Sequence, residues 1–403
     1  MNRNFLKHEF AITSKSRRNI PFIVFLFVFL LGYCFIILPN KETKETFDPV
    51  ETRDYLEELQ VEQTFREEKG TTGINKMTGV PVYSVNANNY KLFHGMLTAY
   101  EDHDYNRFLY LRTHYLEWNM SEYVGDVSLF KHSIFPGKDR AHLYNQTMLR
   151  FEDYLKNDYT ISNEMIQEKT GLQVLQNLLL NYGMYLFLFC VIYFSSDILT
   201  RDRQYRTVLQ GLPLSWYRLL NLKTLSIFLY SLLVLAGVIL VGVLVISLQF
   251  GFGSFDMKVP VMIAQQLFTL EDYDVITIAQ FLLKSLSVIP IMVYLFIRLN
   301  VVLSLLLKNE WLVLLVSSLI LFSERLYLTR TSRELFGIDI SYFPQTYFDF
   351  GKVVTSEKNF LLNTETITYM KGIFVLLIMI AIIECVLLVV SRLVNKRRFY
   401  HSS

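Results

Sequence analysis

The sequence predicts an all-α polytopic membrane protein with six transmembrane helices and a mostly helical extracytoplasmic domain between the first two. Three observations carry this prediction. Hydrophobic residues make up 52% of the 403-residue chain and charged residues only 19%, and its mean hydropathy is positive, a balance that a single soluble core does not need. Apolar windows close to the roughly 20 helical residues that cross a bilayer core recur along the chain. Short basic flanks fall on one side of those windows when there are six of them.

In chain order, an amphipathic segment 1–19 leads into the first span at 20–38. The other spans fall at 178–196, 219–248, 285–307, 311–328 and 372–390. The fifth is the shortest apolar run and has to accommodate Glu324 and Arg325 near one end. Arg3, Lys7, Lys15, Arg17 and Arg18 precede the first span, and Arg201, Arg203, Arg206, Arg218 and Lys223 follow the second. Arg392, Lys396, Arg397 and Arg398 follow the last. By the positive-inside rule these mark the cytoplasm, so both termini, the loop 197–218 and the tail 391–403 are expected inside. The loops 249–284 and 329–371 are then outside. The alternative reading of the first span as a signal peptide lacks a small-residue cleavage site after Gly32-Tyr33-Cys34-Phe35.

The segment 39–177, about 140 residues, is long enough for a small domain. Helical spacing appears in Tyr55, Leu56, Leu59 and in Leu92, Phe93, Met96, Leu97, Tyr100, with a loop or short strand expected near 80–85. A last helix from about Asn163 is expected to run unbroken into the second span. Cys34, Cys190 and Cys385 all lie in spans, so this domain is no disulfide scaffold. Glu101-Asp102-His103-Asp104 suggests a metal site on composition, but no second histidine sits three or four residues away, and a solvated acidic turn is the better reading.

Arg298 lies deep in the fourth span and Glu384 deep in the sixth. Each left alone in lipid costs about 3 kcal/mol on insertion scales. Counted inward from Lys284 and Gly372, they lie about 20 Å and about 18 Å deep, which permits a pair. A structural ion pair, an Arg298 that snorkels to the cytoplasmic surface, and a substrate or proton role all remain open. The aromatic run Tyr342 to Phe350 reads as an outer gate or exit surface, or as an interfacial belt or packing surface, and Pro290 as a kink.

The chain has no Gly-x-x-x-x-Gly-Lys-Ser/Thr phosphate-binding loop, and no cluster of spans carries the residues of a membrane enzyme. In the loop 197–218, Tyr205, Val208, Leu209 and Leu212 form an apolar stripe and Pro213 stops the helix. Such a short rod can dock in a groove of a partner or rest on lipid headgroups. The order Asp202-Arg203, Thr207, Leu209, Gly211-Leu212-Pro213-Leu214-Ser215, then Lys223 ten residues after the proline, resembles the coupling-helix loop of ABC-2 type transporter permeases. The segment from Asn4 to Arg18, with Phe5, Leu6, Phe10 and Ile12, resembles the interfacial elbow helix of that family. Where the family commonly shows an acidic-rich run and a Gly-Thr pair, this chain has Arg201-Asp202-Arg203 and Tyr205-Arg206-Thr207.

The resemblance implies a non-catalytic, multi-pass subunit of a bacterial cell membrane. Its partners would be cytoplasmic ABC ATPase subunits, a second permease chain (identical or related) and membrane lipid, with no nucleic acid. ATP and Mg would be held by the ATPase and no cofactor by this chain. ATPase coupling would fall on Asp202, Tyr205, Val208, Leu209, Leu212 and Pro213, and the cargo would be amphipathic, a peptide or lipid-like molecule. The rival reading is a membrane sensor or assembly protein whose outer domain binds a ligand.

Overall fold

The computed structural model describes residues 2–43, 45–76, 79–118, 133–157, 159–201, 214–265, 269–327, 329–330 and 333–401. The chain is mostly helical. Helix α1 (Asn2–Ser14) is followed by α2 (Asn19–Gly32), which continues as a π-helical stretch, Tyr33–Ile37. Next come α3 (Pro49–Glu68), α4 (Val82–Glu101), α5 (Tyr105–Trp118), α6 (Pro136–Lys156) and α7 (Asn163–Ile166). Then follow α8 (Gly171–Leu180), α9 (Gly183–Ser195), α10 (Trp216–Phe250), α11 (Ile278–Leu307) and α12 (Glu310–Phe322). The chain ends with α13 (Glu324–Tyr327), α14 (Phe350–Val354), α15 (Glu357–Leu362), α16 (Tyr369–Leu393) and α17 (Lys396–His401).

Two compact units emerge. One comprises Met1–Asn40, Gly171–Gln266 and Asp272–Ser403, and the other Lys41–Thr170 with Leu267–Glu271.

Among the described residues of the first unit, four helices are long and apolar enough to cross a bilayer: Asn19–Ile37, Trp216–Phe250, Ile278–Leu307 and Tyr369–Leu393. Their outward faces carry apolar side chains, among them Phe25 and Val28 on α2, Leu240 and Leu244 on α10, and Phe374 and Ile378 on α16. Water would penalise such faces and lipid would not. Helix α11 is the buried centre, with Phe281, Val288, Met292, Phe296 and Val301 all inside. A capping box between Thr277 and Gln280 starts it seven residues ahead of the expected position, and it stays one helix through Pro290.

The other two expected spans differ. The second is broken: α8 and α9 are separated at Asn181 and Tyr182, and the helical segments on the two sides are bent by 71°, so they count as a fifth span only if the bent pair is one. Gly183 permits the bend, because a Cβ there would lie 2.4 Å from the Leu178 carbonyl oxygen. Upstream, Glu168 takes a positive φ of 57° between α7 and α8, so the expected unbroken helix from about Asn163 does not form. The fifth expected span, 311–328, shortens to the 13 residues of α12, about 20 Å. The chain turns at Ser323 because Glu324 is drawn inside, where it pairs with Lys358 and accepts a hydrogen bond from Tyr185. Burial pushes the nearby Asp349 carboxyl above the usual carboxylate range; Lys352 and Lys358 offset this only in part, and Glu324 adds to it.

Strands appear where none were expected. β1 (Lys258–Met262) pairs antiparallel with β2 (Tyr273–Thr277), Pro260 facing Val275, and β3 (Glu334–Leu335) with β4 (Ile338–Asp339). In the aromatic run, Tyr347, Phe348 and Phe350 are buried, Phe348 against Phe296 with centroids 5.1 Å apart, and only Tyr342 is exposed. These rings pack the core of the unit instead of forming a surface.

The second unit is a set of helices. Asp48 caps α3 by accepting from the Val50 and Glu51 amides. The loop or short strand expected near 80–85 is one bridge between Ile74 and Pro81, with α4 already starting at Val82. Leu92, Met96 and Leu97 fall on its buried face, as their spacing predicts. Glu101-Asp102-His103-Asp104 is the turn between α4 and α5: His103 takes a φ of 58°, and Asp104 accepts from the Arg107 amide.

Close backbone packing in the first unit gives a test. A Cβ at Gly351 would lie 2.2 Å from the Leu179 carbonyl oxygen, whereas at Gly237 nothing lies within 4 Å. Gly351→Ala is expected to lower unfolding stability in detergent micelles by about 1–3 kcal/mol. Gly237→Ala, mid-helix in α10, is expected to be neutral or to stabilise by up to about 1 kcal/mol.

Candidate functional site

Three long helices of the first unit, α10, α11 and α16, meet around a charged cluster. The Arg298 guanidinium binds Glu384 through both oxygens, Nε to Oε1 and Nη2 to Oε2, each at 2.5 Å. Its Nη1 donates to Thr224 Oγ1 at 3.1 Å. Tyr294 Oη donates to Glu384 Oε1 at 2.8 Å and Tyr217 Oη to Oε2 at 3.2 Å. The carboxylate therefore has four donors, and a bidentate fork of this kind suits guanidinium better than ammonium.

Arg298 and Glu384 each sit nine residues from the C-terminal ends of their helices, about 14 Å along the axis. Thr224 sits eight residues into α10, so the three helices present these groups at similar depth. Arg298 is thus paired with Glu384 and buried, and does not snorkel to the surface.

The pair is asymmetric. The Arg298 side chain is 2% exposed and that of Glu384 23%, so the guanidinium is locked inside while the carboxylate edge opens into a cavity. This cavity of about 330 Å³ is lined by Tyr217, Asn221, Thr224, Phe228, Tyr294 and the ion pair. Its size lies within the range of small-ligand sites. Chemically the arrangement offers hydroxyls, an amide and a neutralised ion pair beside an aromatic ring, a lining suited to a polar group on an apolar body. The sequence contained a signal for it: Tyr217, Asn221, Thr224 and Phe228 recur at i, i+4, i+7 and i+11 along one face of α10, and Tyr294 stands one turn before Arg298.

A second charged cluster holds α1. Its buried line is Phe5, Glu9 and Thr13, whereas the sequence suggested Phe5, Leu6, Phe10 and Ile12; Ile12 is exposed. The carboxylate of Glu9 is inside because Lys223 Nζ lies 2.9 Å from Oε1 and Arg201 Nη2 lies 3.3 Å from Oε2. Phe10 stacks edge-on with Tyr230 at 5.9 Å, which adds an apolar contact between α1 and α10. Arg18, between α1 and α2, donates to Ser196 Oγ at 2.6 Å and pairs with Glu310 at 3.4 Å. Lys223 was read from sequence as a basic flank and as the end of the coupling-loop pattern; its burial and its partner Glu9 could be read from neither.

Lys223 and Thr224 are consecutive, so one turn of α10 is bound to α1 on one side and to Arg298 on another. Asp202, Tyr205, Val208, Leu209, Leu212 and Pro213, the residues expected to couple to an ATPase, lie outside the described residues, between Arg201 and Leu214.

No protein-family model matches the chain, and no curated protein or solved structure does either.

Removing one partner of the pair should cost more than removing both. Glu384→Ala strands the Arg298 guanidinium and is expected to lower unfolding free energy in micelles by about 3–5 kcal/mol, whereas the double replacement Arg298→Met with Glu384→Met should recover most of that loss. Equal losses from the single and double replacements would show that the pair is not what the helices close around.

Proposed function

We propose that this chain is the membrane-spanning permease subunit of an ABC exporter, working with cytoplasmic ATPase subunits and a second permease chain and moving an amphipathic cargo outward. In this reading it is a multi-pass cell-membrane protein with six crossings, the bent α8–α9 segment and the short α12 serving as two of them. The observation that carries the reading is the buried bond of Glu9 to Lys223 and Arg201. It ties an N-terminal amphipathic helix to both flanks of the segment 202–213, which would make elbow helix and coupling loop one mechanical piece.

The mechanism follows from stiffness. A push on the segment 202–213 would act on α10, a single 35-residue helix with no break. Because Lys223 and Thr224 are neighbours, displacement of the α1 contact carries Thr224 with it, and Thr224 holds Arg298. Tyr217, on the same helix, holds Glu384. Rotation of α10 would therefore change the width of the cavity between α10, α11 and α16 without breaking the Arg298–Glu384 fork. Tyr217 and Tyr294 orient the carboxylate, and Asn221 and Phe228 offer an amide and a ring to a passing cargo. ATP hydrolysis belongs to the partner, and this chain binds, orients and yields.

Purification from native membranes in mild detergent tests the proposal. A nucleotide-binding ATPase should co-purify in stoichiometric amount, be lost when Leu209 and Leu212 are replaced by Asp, and be retained with Glu384→Gln. Failure to recover any nucleotide-binding partner would overturn it.

A further inference from the structure

A separate cavity of about 440 Å³ lies wholly within the second unit, between the start of α3 and the helices α4 and α5. Its wall is aromatic. Tyr55 and Tyr115 each meet Phe93 edge-on at 5.0 Å, and Phe47 meets Phe108 edge-on at 5.0 Å. Its rim is acidic, with Glu45, Asp48 and Glu51 against one cation, Arg112.

The charges are not equally committed. Arg112 Nε donates to Glu45 Oε2 at 2.9 Å, and the guanidinium lies 5.7 Å from the Tyr115 ring. The Asp48 carboxylate caps α3. Glu51 is exposed, and its carboxylate makes no hydrogen bond or ion pair among the described residues. The second oxygen of Glu45, Oε1, is buried and has no hydrogen-bond partner among the described residues, on a side chain that is 10% exposed. A buried acceptor without a donor is costly unless a ligand supplies one. Ring faces carry negative quadrupole potential and attract cations, above all when carboxylates stand beside them.

We propose that this cavity binds a small organic ammonium compound that also carries a hydroxyl or N–H donor, with its cationic head against the Tyr55, Phe93 and Tyr115 rings, its charge met by Glu51 and its donor by Glu45 Oε1. An anionic ligand is disfavoured because the single guanidinium is already engaged and three carboxylates surround the opening. The inference stands whether or not the chain is a permease, since it uses only residues of the second unit.

Isothermal titration of the full chain in maltoside micelles, with choline as probe, tests it. Saturable binding at one site per chain is expected, at least about ten-fold tighter than for the neutral isostere 3,3-dimethyl-1-butanol. Phosphocholine should bind more weakly than choline, which separates a free ammonium alcohol from a phosphate-bearing lipid headgroup. Glu51→Gln, at an exposed position, and Tyr55→Leu should each weaken choline binding about ten-fold while leaving the unfolding temperature in place for Glu51→Gln. No saturable choline binding, equal binding of the neutral isostere, or tighter binding of phosphocholine would overturn the proposal.

Discussion

A guanidinium and a carboxylate buried between apolar helices must find each other, because either alone is destabilising in a medium that does not solvate charge. The Arg298–Glu384 fork is that constraint in this chain. It sets the rotation of α11 and α16 about their own axes, since both charges have to face inward at equal depth. Through Thr224 and Tyr217 it sets α10 as well. Other polar groups within these helices turn inward too, Asn300 donating to Ser195 Oγ at 2.6 Å and Ser231 lying buried, which leaves the outward faces apolar. The same logic repeats where Glu9 meets Lys223 and Arg201, and where Glu324 meets Lys358.

These three clusters also mark how far the sequence could be read. Long apolar helices announce themselves by composition, so α2, α10, α11 and α16 were legible in type and nearly in extent, and the helical spacing around Leu92 and Met96 placed α4. Breaks were not legible, for physical reasons. Gly183 in an apolar run signals a bend only once Leu178 is known to press against it. Glu324 could be read as a tolerated charge near a helix end, and only Lys358, 34 positions later, makes it a reason for the chain to turn inward. The hairpin of β1 and β2 was hidden because its strands are five residues each and sit between much stronger helical signals.

The candidate site divides the same way. Arg298 and Glu384 stood out because a charge in a span is rare, and their depths allowed a pair. Their tyrosine and threonine partners are ordinary residues in an aromatic-rich chain, and only the i, i+4, i+7 spacing on α10 distinguishes them. Glu9 was invisible as a buried group, since a carboxylate in an amphipathic surface helix is normally assigned to the wet face. Its burial changes the meaning of α1, which is bolted to α10 by charge as well as by Phe5 and Phe10 and is not simply floating on lipid.

The account therefore turns on α10 as a rigid link between Glu9 at one cluster and Glu384 at the other. A double-mutant cycle of Glu9→Gln and Glu384→Gln, read as unfolding free energy in mixed micelles, measures that link directly. Coupling through α10 predicts that the double variant departs from the sum of the single effects by more than about 0.5 kcal/mol. Additivity within about 0.5 kcal/mol would mean the two clusters are independent, and would contradict a mechanical connection between them.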